Sequence, residues 1–405
     1  MCKEARILLV ISALFTFAIG LSNIFVNVFF WKQTNEYVAI ATYHLIHYVT
    51  IPIAFVIAGM LAKKKNGIWS LRIGLLTYAL FFILILLLGS KGKAYMYLMG
   101  IIYGMATGFY WLAFNTLSFD FTHMNNRDTF NGFNGCCAGI TAAISPMAAA
   151  YTISSLKGMK GYNAVFAMTL SIFVILTLIS LLLRCKNYGN RLNFKKAFSR
   201  NCGEWGILRT SATLWGFRDV IIVFLINILT IEATKSELTL GKLTLISAMI
   251  SSAAYVLVQK VIKPPHRRLS ILIGASGSFA AVLGLVFKLG YATLVFYIMM
   301  DAFFLPFFLI QLNSATFNII DRNHEKDMRI EYMINKDLVL NSGRIISALI
   351  LITLLSLFNA SSTLKFYLLF LGIVPIASGY VLGKLRGVFE GKDSKKFSAH
   401  KRIIR

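Results

Sequence analysis

The stretch Asn115-Thr-Leu-Ser-Phe-Asp120 returns as Asn313-Ser-Ala-Thr-Phe-Asn318, 198 positions later in a chain of 405 residues. Two further anchors recur at nearly the same offset. Ser70-Leu-Arg-Ile-Gly74 matches Ser270-Ile-Leu-Ile-Gly274 at 200, and Gly20-Leu-Ser-Asn23-Ile matches Gly216-Phe-Arg-Asp219-Val at 196. A near-constant spacing of about half the chain reads as one unit present twice, in the same direction.

The unit is built for a membrane. A mean hydropathy of +0.70, with 57% hydrophobic and only 14% charged residues, lies outside the range of soluble domains. Several apolar runs reach the ~20 residues that an α-helix needs to cross a bilayer core of ~30 Å. The predicted spans are 7–31, 38–61, 71–89, 94–118, 133–155 and 163–183, then 211–231, 240–259, 269–288, 290–318, 338–358 and 364–383. The expected organisation is an N-terminal six-helix bundle (1–184), a basic linker (185–210), a C-terminal six-helix bundle (211–386) and a basic tail (387–405). The first span is too long for a secretory h-region and lacks a small-x-small cleavage site, so it reads as a retained helix.

The formal charge of +25 would point to nucleic acid in a soluble protein, but its distribution excludes that partner here. With the N-terminus inside, about 30 of the 41 Lys and Arg fall on inner segments. This is the positive-inside bias, and it predicts a multi-pass protein with both termini in the cytoplasm. The inner clusters Lys63-Lys64-Lys65, Lys195-Lys196 and His266-Arg267-Arg268, with the tail, are expected to face anionic lipid headgroups. The Lys- and Ile-rich composition and short loops point to a bacterial cell membrane. Cysteines 2, 136, 137, 185 and 202 show neither CxxC nor zinc spacing, so neither a metal nor another cofactor is expected. A monomer is expected.

Polar residues at helical spacing within these spans must face other helices or a wet cavity. The first span aligns Thr16, Gly20, Asn23 and Asn27; the fourth aligns Gly100, Gly104, Gly108, Trp111 and Asn115. The fifth aligns Asn134, Ala138, Thr141 and Ser145. The tenth aligns Asp301, Phe304, Phe308 and Gln311, and the eleventh Asp337, Asn341, Arg344 and Ser347. For the small residues, close helix packing is the simpler reading.

Two six-helix halves in parallel repeat, cytoplasmic termini and a basic central linker resemble the major facilitator superfamily. After the second span, Gly59-Met-Leu-Ala-Lys63-Lys-Lys-Asn-Gly67 is similar to a degraded form of that family's G-x-L-a-D-r-x-G-r-r signature. The resemblance implies an all-α fold of two bundles and a role in transport. In the family the signature acid takes part in an interdomain charge network that gates the cytoplasmic side. Here Lys63 replaces it, with Asp120 and Arg127 as possible substitutes.

Charges at membrane depth cost roughly 2.5–3.5 kcal/mol each on insertion scales, so each needs a reason. Asp301 and Arg344 lie at similar depth on consecutive spans and are expected to pair. Arg218-Asp219 opens the seventh span and is expected to pair locally or across the interface. Two readings stand: a static ion pair, or a carboxylate that takes up a proton as its Arg partner leaves. Asn23, Asn27, His44, His47, Trp111, Asn115, Gln311 and Asn313 are the expected substrate-cavity residues. Asn134, Asn341, Asp120 and Arg127 are the expected gating residues. His44 and His47 sit three apart, but no third metal ligand is evident, so no metal site is assigned.

No P-loop, GxSxG or HExxH occurs, so no enzyme is expected. The leading expectation is a proton-coupled secondary transporter moving a small organic or amphiphilic solute by alternating access. The alternative is a non-transporting sensor or assembly partner on the same scaffold.

Overall fold

A computed structural model describes every residue except 1, 123, 157, 186, 188, 200–202, 264–265, 323–327 and 386–405; side chains 90, 124–128, 220–221, 317, 320–322 and 361 are also not described. Among the described residues, twelve long helices dominate, each apolar and long enough to cross a membrane. They are α1 (Lys3–Thr34), α2 (Tyr37–Lys64), α3 (Gly67–Leu88), α4 (Gly92–Asp120), α5 (Met124–Leu156) and α6 (Met159–Ser180), followed by a short linker helix α7 (Phe194–Ala197). The second set is α8 (Glu204–Thr234), α9 (Glu237–Val261), α10 (Arg267–Phe287), α11 (Tyr291–Arg322), α12 (Arg329–Leu357) and α13 (Ala360–Leu382).

The repeat is written into the backbone as well as the sequence. Asn35 and Lys235 close α1 and α8 in the left-handed conformation, at φ 52° and 51°, each donating its N–H to the carbonyl four residues back at 2.7 Å. They stand 200 positions apart, and Lys carries a steric cost there that Asn largely escapes. Packing repeats too: α1 lies on α5 and α6, as α8 lies on α12 and α13, while α3–α4 corresponds to α10–α11.

The α4 glycine ladder is a close-packing face, as its spacing indicates. A Cβ at Gly104 would sit 2.8 Å from the His47 carbonyl oxygen, and one at Gly108 would sit 2.4 Å from Ala54 Cβ on α2. The halves meet through α2 on α12, α5 on α9 and α1 on α8. Leu87, Leu182, Leu272, Phe287 and Tyr380 stand exposed on the outside, as expected of side chains that face lipid.

Three helices begin well before their apolar runs, α5 among them, at Met124 against a predicted start of 133. α8 starts at Glu204 and α12 at Arg329, against predicted starts of 211 and 338. Residues 329–337 of the polar stretch before the eleventh span therefore form the first turns of α12. Tertiary contacts hold those turns: Asn335 Nδ2 donates to the Ala197 carbonyl at 2.7 Å, and Trp205 Nε1 donates to Asn335 Oδ1 at 3.0 Å. The basic tail lies outside the described residues.

Candidate functional site

A cavity of about 500 Å³ lies between the halves. α1 contributes Phe15, Asn23 and Asn27, and α2 contributes His44, His47, Tyr48 and Phe55. α4 adds Tyr103, Thr107, Trp111, Asn115 and Phe119. From the second half come Phe224 and Asn227 of α8, Thr316 of α11, and Tyr332, Met333, Lys336, Asp337, Leu340 and Arg344 of α12. The α12 residues recur every three or four positions, so one face of that helix forms a charged wall. Aromatic rings and amides form the facing wall.

Toward the end carrying the α1–α2 and α8–α9 turns, side chains from both halves meet in the cavity wall. His44 Nε2 donates to Asn27 Oδ1 at 3.0 Å, and Tyr48 O–H donates to His44 Nδ1 at 3.3 Å, which assigns the Nε2–H tautomer. The His44 ring stacks on Phe224 of α8, centroids 4.4 Å apart. His47 makes no such bonds: both ring nitrogens are buried without a hydrogen-bond partner among the described residues. Beyond this level, at the ends carrying the α1–α2 and α8–α9 turns, Lys32 pairs with Glu237 and Tyr37 O–H donates to Glu232. Tyr162 O–H also donates to Glu237, at 2.8 Å.

The opposite end, where the linker runs, holds a different lock. Lys63 Nζ of α2 lies 3.1 Å from Glu331 Oε1 of α12, and both side chains are buried. The Asn193 backbone N–H of the linker donates to the same oxygen at 3.1 Å, and the Asn190 N–H donates to the Lys63 carbonyl at 3.0 Å. The base standing at the signature position is thus answered by an acid on the other half. The signal was present in the sequence as Glu331, but only folding brings a residue 268 positions away onto Lys63.

The expected pairing of Asp301 with Arg344 is not made. Asp301 Oδ1 instead accepts from Arg218 Nη2 at 2.6 Å, and Tyr297 O–H donates to Asp301 Oδ2 at 3.2 Å. Arg218 is 1% exposed and also donates to Tyr297 at 3.1 Å. Arg344 binds Asp219, with Nε 3.1 Å from Oδ2, and its guanidinium lies over the Tyr48 ring of α2 at 5.6 Å. The physical reason is rotation: residues 218 and 219 point about 100° apart on a helix, so α8 reaches α11 with one and α12 with the other. Arg218, Asp301 and Tyr297 line no part of the cavity, whereas Arg344 does.

Other expectations divide. Asn23, Asn27, His44, His47, Trp111 and Asn115 all line the cavity. Asn313 does not: its side chain is exposed, and Thr316, one turn on, takes the place facing the cavity. Gln311 is buried at 2% exposure, outside the lining. The amides expected at a symmetric gate each bond within their own half. Asn134 accepts from Ser12 O–H at 2.6 Å, while Asn341 Nδ2 donates to Asp337 Oδ2 at 3.0 Å and its Oδ1 accepts from Arg344 at 3.1 Å. Asp120 ends α4, and the Arg127 side chain lies outside the described residues. Sequence reading missed Lys336 and Asp337 as cavity groups, although Asp337 shares the Asn341–Arg344 stripe.

The sequence profile described as Major Facilitator Superfamily matches residues 8–333, and the chain belongs to that family. It is 34% identical over 374 residues to the uncharacterized protein YqgE of Bacillus subtilis (strain 168), covering 92% of this chain and 87% of that one. Among solved structures, a point mutant of the nucleoside transporter NupG superposes with a TM-score of 0.70 at 12% identity, covering 94% of this chain and 99% of the other. A bacterial homologue of the iron transporter ferroportin superposes at 0.68 in its inward-facing state and 0.62 in its outward-facing state, each at 15% identity and 95% coverage of this chain, with 98% and 99% of those chains covered. The fold is that of a transporter of this superfamily.

Proposed function

We propose that the chain is a proton-coupled secondary transporter that moves a small organic or amphiphilic solute by alternating access. The observation that carries this reading is the cavity itself, which draws its walls from both halves and lies between two separate sets of inter-half contacts. A solute held there is released to one side only if one set opens while the other stays shut.

The lining supports an organic cargo. Asn23, Asn115 and Asn227 offer both donors and acceptors, and Phe15, Trp111 and Phe119 offer flat apolar surface. Asp219–Arg344 supplies a charge pair beside the cavity that a solute or a proton can break.

The test uses proteoliposomes bathed in a bacterial small-molecule extract under an imposed pH gradient, with the lumen analysed by mass spectrometry. At least one solute should accumulate above protein-free liposomes and collapse with an ionophore. No accumulation of any solute sinks the reading.

A further inference from the structure

On α12, Asp337, Asn341 and Arg344 follow one another at intervals of four and three residues, and hydrogen bonds join them into a chain. Asn341 Nδ2 donates to Asp337 Oδ2 at 3.0 Å, Arg344 Nη1 donates to Asn341 Oδ1 at 3.1 Å, and Arg344 Nε continues to Asp219 at 3.1 Å. Two carboxyl groups therefore share one guanidinium. Asp219 touches it directly, and Asp337 reaches it only through a neutral amide. A carboxylate at membrane depth with no cation in contact is costly to keep ionised, because desolvation is not offset by a partner.

The titratable groups around the Asp337–Asn341–Arg344–Asp219 network, among the described residues, come from four helices. Lys336 and Arg344 lie on α12, Asp219 on α8, His47 and Tyr48 on α2, and Tyr367 on α13. α4 faces the cavity at this level with the uncharged Asn115 and Phe119, and with Tyr103 deeper in; Lys196 of α7 lies over Tyr332 at the linker end. Lys336 lines the cavity beside Asp337, with no ion pair between the two in this arrangement. Asp301 is the opposite case. One of its oxygens holds a guanidinium, the other a phenol, and the side chain lies outside the cavity lining.

We propose that Asp337, not Asp301, is the carboxyl that binds and releases the coupling proton, resting on the transport reading above. With a proton on one Asp337 oxygen, the network contains one cation and one anion and is neutral. Release of that proton into the cavity leaves a second anion, which Lys336 answers by turning its ammonium toward it. The exchange thus moves a positive group along the cavity wall where solute binds. Asp301–Arg218 serves as a fixed strap between α8 and α11.

The test needs no solute. Infrared difference spectra of the lipid-reconstituted protein are recorded between acidic and mildly alkaline buffer, reading the C=O stretch of a protonated carboxyl. Wild type and Asp301→Asn should show a pH-dependent band that Asp337→Asn loses. Asp337→Glu should return it at a shifted frequency. A band of full amplitude in Asp337→Asn, or its loss in Asp301→Asn alone, overturns the assignment. The amide I band reports folding; should the Asn variant fail to fold, the Glu variant decides, and an unmoved band counts against Asp337. Gradient-driven uptake from extract that survives Asp337→Asn refutes this proposal alone. A titrating band in a protein that moves no solute refutes the transport reading and leaves the proton site standing.

Discussion

Replacing Lys63 with Met should unlock the linker end of the molecule. Lys63 Nζ and Glu331 Oε1 are 3.1 Å apart, and the two side chains are 8% and 0% exposed. At that separation and an effective dielectric of ~20, the attraction is roughly 5 kcal/mol before desolvation is charged against it. Deleting one member of such a pair typically costs ~3–5 kcal/mol, because the other charge stays buried and unpaired. Since the pair joins the two halves, the loss falls on the closed arrangement and is relieved when they part. A shift of ~3 kcal/mol changes the ratio of closed to open molecules about 150-fold.

The double exchange Lys63→Glu with Glu331→Lys restores the attraction. It does not restore the bond from the Asn193 N–H to Glu331, because lysine cannot accept it. Recovery should therefore fall short by ~1 kcal/mol, the worth of one hydrogen bond. Nitroxide labels at Lys64 and His266, both exposed and on opposite halves, report the opening by pulsed electron resonance in a cysteine-free background. Wild type should give one short distance, Lys63→Met a longer and broader distribution, and the double exchange a return toward wild type. Identical distributions in wild type and Lys63→Met, with the exchange no better than either single change, would refute the reasoning.

Four further outcomes follow from the same geometry. Glu237→Gln removes the partner of Lys32 and weakens the bond from Tyr162, so it should loosen the far end, read as a longer distance between nitroxide labels placed on the α1–α2 and α8–α9 turns. Arg218→Met leaves Asp301 buried without its cation and should cost ~3–5 kcal/mol, read as a large fall in melting temperature, while Arg218→Met with Asp301→Leu recovers most of it. Gly216→Ala places a Cβ 2.2 Å from the Leu340 carbonyl oxygen, where α8 and α12 approach closely; overpacking of ~1–3 kcal/mol should appear as reduced yield and an earlier melt. His44→Phe deletes the bonds to Asn27 and Tyr48 but keeps a ring against Phe224, so uptake should fall while the melting temperature moves little.

Much of the fold was legible because lipid allows so few solutions. Runs of about twenty apolar residues become helices there, since every backbone N–H must find a partner within its own segment. The halves were legible because sequence copies such as Asn115–Asp120 and Asn313–Asn318 survive; the repeated turn at Asn35 and Lys235 came only with the structure. Cavity residues on one helical stripe, such as Asn23 and Asn27 or Trp111 and Asn115, were legible from spacing alone.

What the sequence could not show was which charge answers which. Asp301 and Arg344 share a depth and lie on consecutive helices, yet the rotation of α8 hands Asp301 to Arg218 and Arg344 to Asp219. Asn115 faces the cavity while its repeat partner Asn313 does not, because α4 and α11 are set at different rotations about their axes. Lys63 looks like a lost signature until α12 brings Glu331 to it. Hydropathy and period fix which residues are helical and roughly how deep they lie, since both depend on neighbours along the chain. Ion pairing depends on azimuth and on contacts between residues far apart in sequence, and only the tertiary structure sets those.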